Sequence, residues 1–365
     1  MFKNRIPGLE VFFLFLEMFS LSLSDRLVFL HTHFRHGARA PLGIDQNFND
    51  KLGEHWTNPG ELTGVGQRMH YLLGLRNRLR YIKEEQFLSE KFDPHQILIY
   101  SSNLNRTMIS VSSQLQGLYP QKDANGETLT EAQQKIAYPQ VDIDNEYINE
   151  AIEELGDNAL PYAMTLAPVR MLNDLDKKIF VYNIGECQVK RNEIFKKNDE
   201  TIPEWIDYVD DLNEKYGELF NKFFGTSGKF YSATELHDIC DSFISGYWDD
   251  REMKDFKDKT GIIFEEFKND CLDYFKKLFI YRFYGDSERA LAYVDSSKLI
   301  SKIIYYMKRR LDADMSSIDE DANFKDYSYP RMLMVSGHDS SIVANLLVYI
   351  KALGLNETDI YRLPK

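Results

Sequence analysis

Three patches of this chain carry side chains whose types and spacing suit one chemistry. Arg35-His36-Gly37-Ala38-Arg39-Ala40-Pro41 sets two guanidiniums and one imidazole close together, with a glycine between them and a proline closing the turn. Arginine forks match phosphate oxygens bidentately, and histidine can be neutral and nucleophilic near neutral pH. Gly37 allows close approach of the backbone to a ligand. Arg106 and the pair His338-Asp339 are the other two patches. Arginines and an imidazole around a phosphate can neutralise its charge and the charge added in the transition state. A carboxylic acid beside them can protonate a leaving alkoxide, then take a proton from water. No metal or cofactor is required, because the arginines take that part.

Each patch follows an apolar run that reads as a buried strand: Leu27-Val28-Phe29-Leu30, Ile97-Leu98-Ile99-Tyr100 and Met332-Leu333-Met334-Val335. Parallel α/β sheets bind ligands outside the carboxyl ends of their strands. If the three strands are neighbours, their end residues converge. Ser101-Ser102-Asn103 read as caps for a helix through Leu104, Met108, Val111, Leu115 and Leu118, which puts Arg106 in its first turn. A cation is disfavoured there unless an anion lies between it and the free N–H groups. Thr63 reads as the N-cap of an amphipathic helix with Val65, Met69, Leu72 and Leu73 on its apolar side. Ser340-Ser341 read as caps of a last helix that stops at Gly354, and 297–311 reads as a helix followed by an acidic, irregular connector over 312–328.

The chain has 365 residues, 43% hydrophobic and 13% aromatic, enough for a packed core in one large or two ordinary domains. A net charge of -13 argues against nucleic-acid binding. An anionic substrate must therefore be drawn by a local cationic cleft. Over 141–290 the texture turns helical, aromatic and highly charged, with helix-like runs at 205–224 and 264–281. It reads as an inserted, mainly helical cap whose charge runs are solvated faces. The expected organisation is a signal peptide at 1–24, an α/β core from 25–140 and 291–365, and the cap between. The apolar 1–24 stretch begins with Lys3 and Arg5, but Glu10 and Glu17 interrupt it. No segment has the length for a stable membrane span. Cys187, Cys240 and Cys271 are compatible with one disulfide and one thiol, or with three thiols.

Read together, R-H-G-x-R-x-P at 35–41, G-E-L-T-x-x-G at 60–66, S-x-x-x-x-R-T at 101–107 and G-H-D at 337–339 resemble the histidine acid phosphatases, from about residue 25 to 355. The resemblance implies a doubly wound, mostly parallel α/β fold with helices on both faces and a helical cap. It implies that His36 attacks phosphorus to form a phosphohistidine. Arg35, Arg39, Arg106 and His338 would hold the phosphate oxygens, and Asp339 would be the proton donor. A small phosphate monoester is then the substrate, with phytate or lysophosphatidate as narrower options. Acid pH dependence, a homodimer and a secreted or lysosomal location are expected on the same ground. The family continues further past its His-Asp pair than this chain does, so a missing edge strand is expected. That departure motivates an alternative, a catalytically impaired or non-catalytic phosphate-binding paralogue.

A second alternative is a metal hydrolase. His31 and His33 share a strand face in H-x-H-x-x-H and could ligate zinc. That reading leaves the arginines unexplained; the plainer fate is one histidine in the core and one bonded near the site. Asn105-Arg106-Thr107 and Asn356-Glu357-Thr358 are glycosylation sequons. The first is expected to be buried and bare, the second modified only if the chain is secreted.

Overall fold

The computed structural model describes residues 27–42, 51, 56, 58–121, 126–137, 146–171, 185–250, 256–285, 290–315 and 329–354. The 1–24 segment, the end of the acidic connector and Asn356 lie outside them. In chain order the elements are β1 (Leu30–Arg35), α1 (Gly64–Arg78), β2 (Ile97–Ser101), α2 (Asn105–Leu118), α3 (Glu131–Ile136), α4 (Glu146–Leu155) and β3 (Arg170–Met171). Then follow α5 (Gly185–Thr201), α6 (Pro203–Phe224), α7 (Ala233–Trp248), α8 (Phe256–Thr260), α9 (Phe264–Lys277), α10 (Ala290–Met315), β4 (Met332–Gly337) and α11 (Asp339–Ala352).

The sheet order is β1-β4-β2-β3 and every pairing is parallel. The three strands that carry the chemical patches are therefore neighbours, with β4 in the middle. Alternation along the strands serves two helix layers. Ile97, Ile99, Met332 and Met334 pack with Val111, Leu115 and Leu118 of α2. Leu98, Leu333 and Val335 face the other way, onto Leu299 and Ile303 of α10. This is a doubly wound α/β core with helices on both faces.

Several local expectations shift. The first strand begins where it was expected to end, at Leu30, because its register against β4 runs from Leu30 opposite Met332 to Arg35 opposite Gly337. Arg35 is thus the last strand residue rather than part of a turn. Helix α1 does start after Thr63, whose hydroxyl accepts from the Gly66 N–H. Its buried side, however, is Gly66, His70, Gly74 and Arg78, while Val65, Met69 and Leu72 are exposed. A Cβ on Gly74 would lie 2.0 Å from the Gln114 carbonyl oxygen, and one on Gly117 2.0 Å from that of Tyr71. Backbone-close packing of α1 on α2 demands small residues, and they displace the apolar face outward. Helix α2 is preceded by Leu104, with no side-chain cap. Helix α10 continues to Met315, into the stretch expected to be irregular. The two-residue strand β3 falls inside the stretch expected to be helical, and extends the sheet beyond β2.

The inserted helices have their own core. Trp205, Tyr216 and Phe220 of α6 meet Phe243 of α7, and Phe267 and Tyr274 of α9 close the cluster. Cys240 and Cys271 form a disulfide between α7 and α9, which resolves the cysteine alternatives for these two. Among the described residues no helix is long and apolar enough to cross a membrane.

Candidate active site

The loop after β1 lies on the start of α1. A Cβ on Gly37 would fall 2.5 Å from the Gly66 carbonyl oxygen, so the close approach that glycine permits is to α1. The Thr63 N–H donates to the Ala38 carbonyl (3.0 Å) and the Ala40 N–H to that of Glu61 (2.9 Å). The 60–66 segment is the bed on which the cationic loop rests. From α2, Ser110 accepts the Gly37 N–H at 3.1 Å.

His36 is 5% exposed. Its Nδ1–H donates to the Gly37 carbonyl at 2.9 Å, which leaves Nε2 with its lone pair. Burial first, then the charges of Arg35, Arg39 and Arg106, lower the pKa of the ring; only the Gly37 bond acts the other way. The imidazole is neutral across the physiological range. Arg106 lies in the first turn of α2, with Nη1 donating to the Gly60 carbonyl at 3.4 Å. That three guanidiniums act on one ring is the convergence expected of these strand ends.

The third strand end completes the group. His338 packs edge-on to His36, ring centres 5.6 Å apart. Burial, then Arg106, and more weakly Arg35 and Arg39, lower its pKa to about 4 against the opposing pull of Asp339. Its Nε2 lies 2.9 Å from Ser102 Oγ, itself 2.8 Å from Thr107 Oγ1. Ser102, expected as a helix cap, instead holds His338. Helix α11 is capped from the other side: His338 is its N-cap, and the His338 N–H donates to Ser341 Oγ at 3.4 Å. Arg35 Nε donates to Asp339 Oδ2 at 3.0 Å. Burial pushes the Asp339 carboxyl up. Arg35, the Ser340 N–H, Arg39 and His338 outweigh it and hold the group below its ordinary value.

Arg39 is more tightly held than the sequence suggested. Its Nη1 and Nη2 donate to Asp241 Oδ2 and Oδ1 at 3.0 and 2.7 Å, and Nη1 also donates to the Ala40 carbonyl at 3.0 Å. Asp241 comes from α7, in the inserted helices. No sequence signal singled it out, since an acid in a charge-rich helix reads as solvated. His70 was also missed: it sits between the Gln114 side chain, at 3.1 Å, and the backbone of Arg35. Only its spacing with Gly66 and Gly74 on one face of α1 could have found it.

The histidine pair expected to bind zinc has other uses. Both ring nitrogens of His33 are engaged, Nε2 with Ser341 Oγ and Nδ1 with Asn345 Nδ2, each at 3.1 Å. His31 Nε2 is buried without a partner. Asn105, expected to be buried, is exposed and donates to Glu61 Oε1 at 3.2 Å.

A cationic cluster around a neutral imidazole at the carboxyl ends of parallel strands defines a class, and the sequence agrees with it. The chain belongs to the histidine phosphatase superfamily (branch 2), whose profile matches residues 26–361. Human prostatic acid phosphatase is 38% identical over 121 residues, which are 32% of this chain and 30% of that protein. The lysosomal acid phosphatase of Xenopus laevis is 35% identical over 100 residues, 27% of this chain and 22% of its own length. The aligned part of this chain thus spans less than a third of the curated relatives it matches. The crystal structure of Klebsiella sp ASR1 phytase shares the fold, with 13% identity and a TM-score of 0.50 over 87% of this chain and 72% of that one. Hafnia alvei phytase in complex with tartrate does so at 15% identity and 0.50, over 88% and 74%.

Proposed function

We propose that this chain hydrolyses small phosphate monoesters without a metal, through a phosphohistidine on His36. The observation that carries this reading is the bond from His36 Nδ1–H to the Gly37 carbonyl. It fixes the tautomer and leaves Nε2 as a nucleophile amid the charges of Arg35, Arg39 and Arg106. In the first step Nε2 bonds to phosphorus, the ester P–O bond breaks, and the leaving oxygen takes a proton from Asp339. In the second, Asp339 takes a proton from water, the resulting hydroxide attacks phosphorus, and the P–N bond breaks to release phosphate. Arg35, Arg39, Arg106 and His338 hold the non-bridging oxygens.

The depressed pKa of Asp339 bears on the proton it must give. Paired with Arg35, the group is a carboxylate. A monoester monoanion, which predominates below a second pKa of about 6, brings its own proton. Transfer to Asp339, as Arg35 turns to the phosphate, readies the acid. Activity therefore falls as pH rises through that value.

Residues 25–140 and 291–365 form the catalytic core in this reading, and 141–290 the cap over the leaving group. The disulfide supports an oxidising location, secreted or lysosomal, with a signal peptide and glycosylation to match. A homodimer belongs to the same proposal, supported by the exposed Val65, Met69 and Leu72, and light scattering on the purified chain tests it. The deciding experiment for the chemistry is trapping during turnover. Acid-labile, base-stable phosphate should appear on the protein and be absent from His36→Ala. Label that persists in this variant removes His36 as nucleophile, and wild-type protein that binds phosphate but takes up no label favours the phosphate-binding paralogue.

A further inference from the structure

We propose that Asp241 is a positioning residue that turns Arg39 so its side-on edge meets the phosphate. The inference rests on the site reading above and extends it to a residue of the cap. A guanidinium of arginine has five N–H bonds in a fixed plane. In Arg39 three are used: one Nη1–H and one Nη2–H on the two Asp241 oxygens, and the other Nη1–H on the Ala40 carbonyl. The two left over are Nε–H and the outer Nη2–H. These lie parallel on the same edge, a second fork suited to two oxygens of one phosphate.

Arg39 is 7% exposed, and its Nε is buried without a partner. A buried donor left unpaired is costly; Arg39 shares the loop of His36, and its charge acts on both His36 and His338, so an oxygen of a phosphate held at His36 would satisfy it. Asp241 is in turn fixed by the Leu42 N–H, which donates to Oδ2 at 3.1 Å, and it precedes neither a loop nor a free end but lies within α7, beside the disulfide at Cys240. The carboxylate therefore does not merely neutralise Arg39. It occupies the end-on fork and leaves the side-on fork as the one the substrate can take.

The two roles predict opposite signs. A carboxylate that only neutralises charge weakens anion binding, so its removal tightens it. A carboxylate that orients the fork strengthens binding, so its removal weakens it. The probe is inorganic phosphate, titrated calorimetrically at pH 6 into the full chain and into Asp241→Asn. We expect affinity to fall about tenfold or more, the scale of losing well-placed charge-assisted hydrogen bonds. In an Arg39→Lys background, which has no planar edge, the same change should have little further effect. Unchanged or tighter binding by Asp241→Asn overturns the proposal, as does full additivity with Arg39→Lys. If Asp241→Asn does not fold, Asp241→Glu serves: it keeps the charge but displaces the fork, and wild-type phosphate affinity in it overturns the proposal. Wild-type protein that binds no phosphate overturns the site reading itself and this inference with it.

Discussion

Two helix pairs in this protein are held by opposite means. Helices α1 and α2 meet through glycine, Gly74 against Gln114 and Gly117 against Tyr71, close enough that a Cβ on either would strike a carbonyl oxygen. Helices α7 and α9 meet through bulk, with Phe243 on Phe267 at 4.9 Å between ring centres and a disulfide alongside. The first pair carries the site: Arg106 and Ser110 ride on α2, and the cationic loop rests on α1. A glycine seam admits one spacing only, whereas aromatic side chains can re-pack around a change. Site geometry is anchored where the packing is least adjustable. The second pair, built the other way, sends in the Asp241 carboxylate from α7.

The comparison can be broken at either pair. Gly74→Val should have the largest effect. The added carbons must push α2 from α1, at a cost of about 3 kcal/mol or more, and phosphatase turnover should fall with the thermal midpoint. A variant of wild-type stability would show that the seam is adjustable after all. Next comes Phe243→Ala, a fully buried ring whose loss costs about 3–5 kcal/mol. Here denaturant unfolding should show the cap loosening, while phosphate binding to the core survives in part; equal loss of both would erase the distinction.

Acidification separates the pairs more gently. His31 and His338 have pKa values lowered to about 4, and His33 to about 3, each chiefly by burial. His31 and His33 lie on the half-buried β1 and His338 is buried at the end of β4. The unfolded chain protonates them near pH 6.5, while the folded chain does not until these lower values, so the unfolded state binds more protons between. Stability present above pH 6.5 is lost as pH falls toward 3–4, by at most about 2 kcal/mol per histidine at pH 5. Thermal scans from pH 7 to 5 should show the midpoint falling, and inorganic phosphate should restore part of it by favouring protonated His338. A midpoint flat over this interval would contradict the burial argument. The smallest effect is expected at Leu72, 54% exposed on α1. Measured on protein diluted to monomer, Leu72→Gln should change stability by no more than about 0.5 kcal/mol, and a larger loss there would return that face to the core.

How much of this was legible beforehand depends on what kind of contact each element makes. Strands β2 and β4 were readable because both faces of a buried parallel strand are covered, so the sequence runs apolar without interruption. β1 was displaced by three residues because it is an edge strand, half-buried throughout, and its polar run His31-Thr32-His33 masks it. Helices α2 and α6 follow their apolar periodicity. Helix α1 follows its glycines instead, and periodicity pointed to the wrong face.

By itself the sequence determined the side-chain inventory, the strand-then-helix order and the patches that mark the family, since these are local and depend on residue type and spacing. The tertiary structure alone decided that β4 lies between β1 and β2, that Ser102 and Asp241 serve His338 and Arg39, and that His33 is bonded away from any metal. Those contacts join residues more than 190 positions apart. Nothing local distinguishes such a partner from a solvated serine or aspartate, because only the closed fold removes the water that would otherwise compete for it.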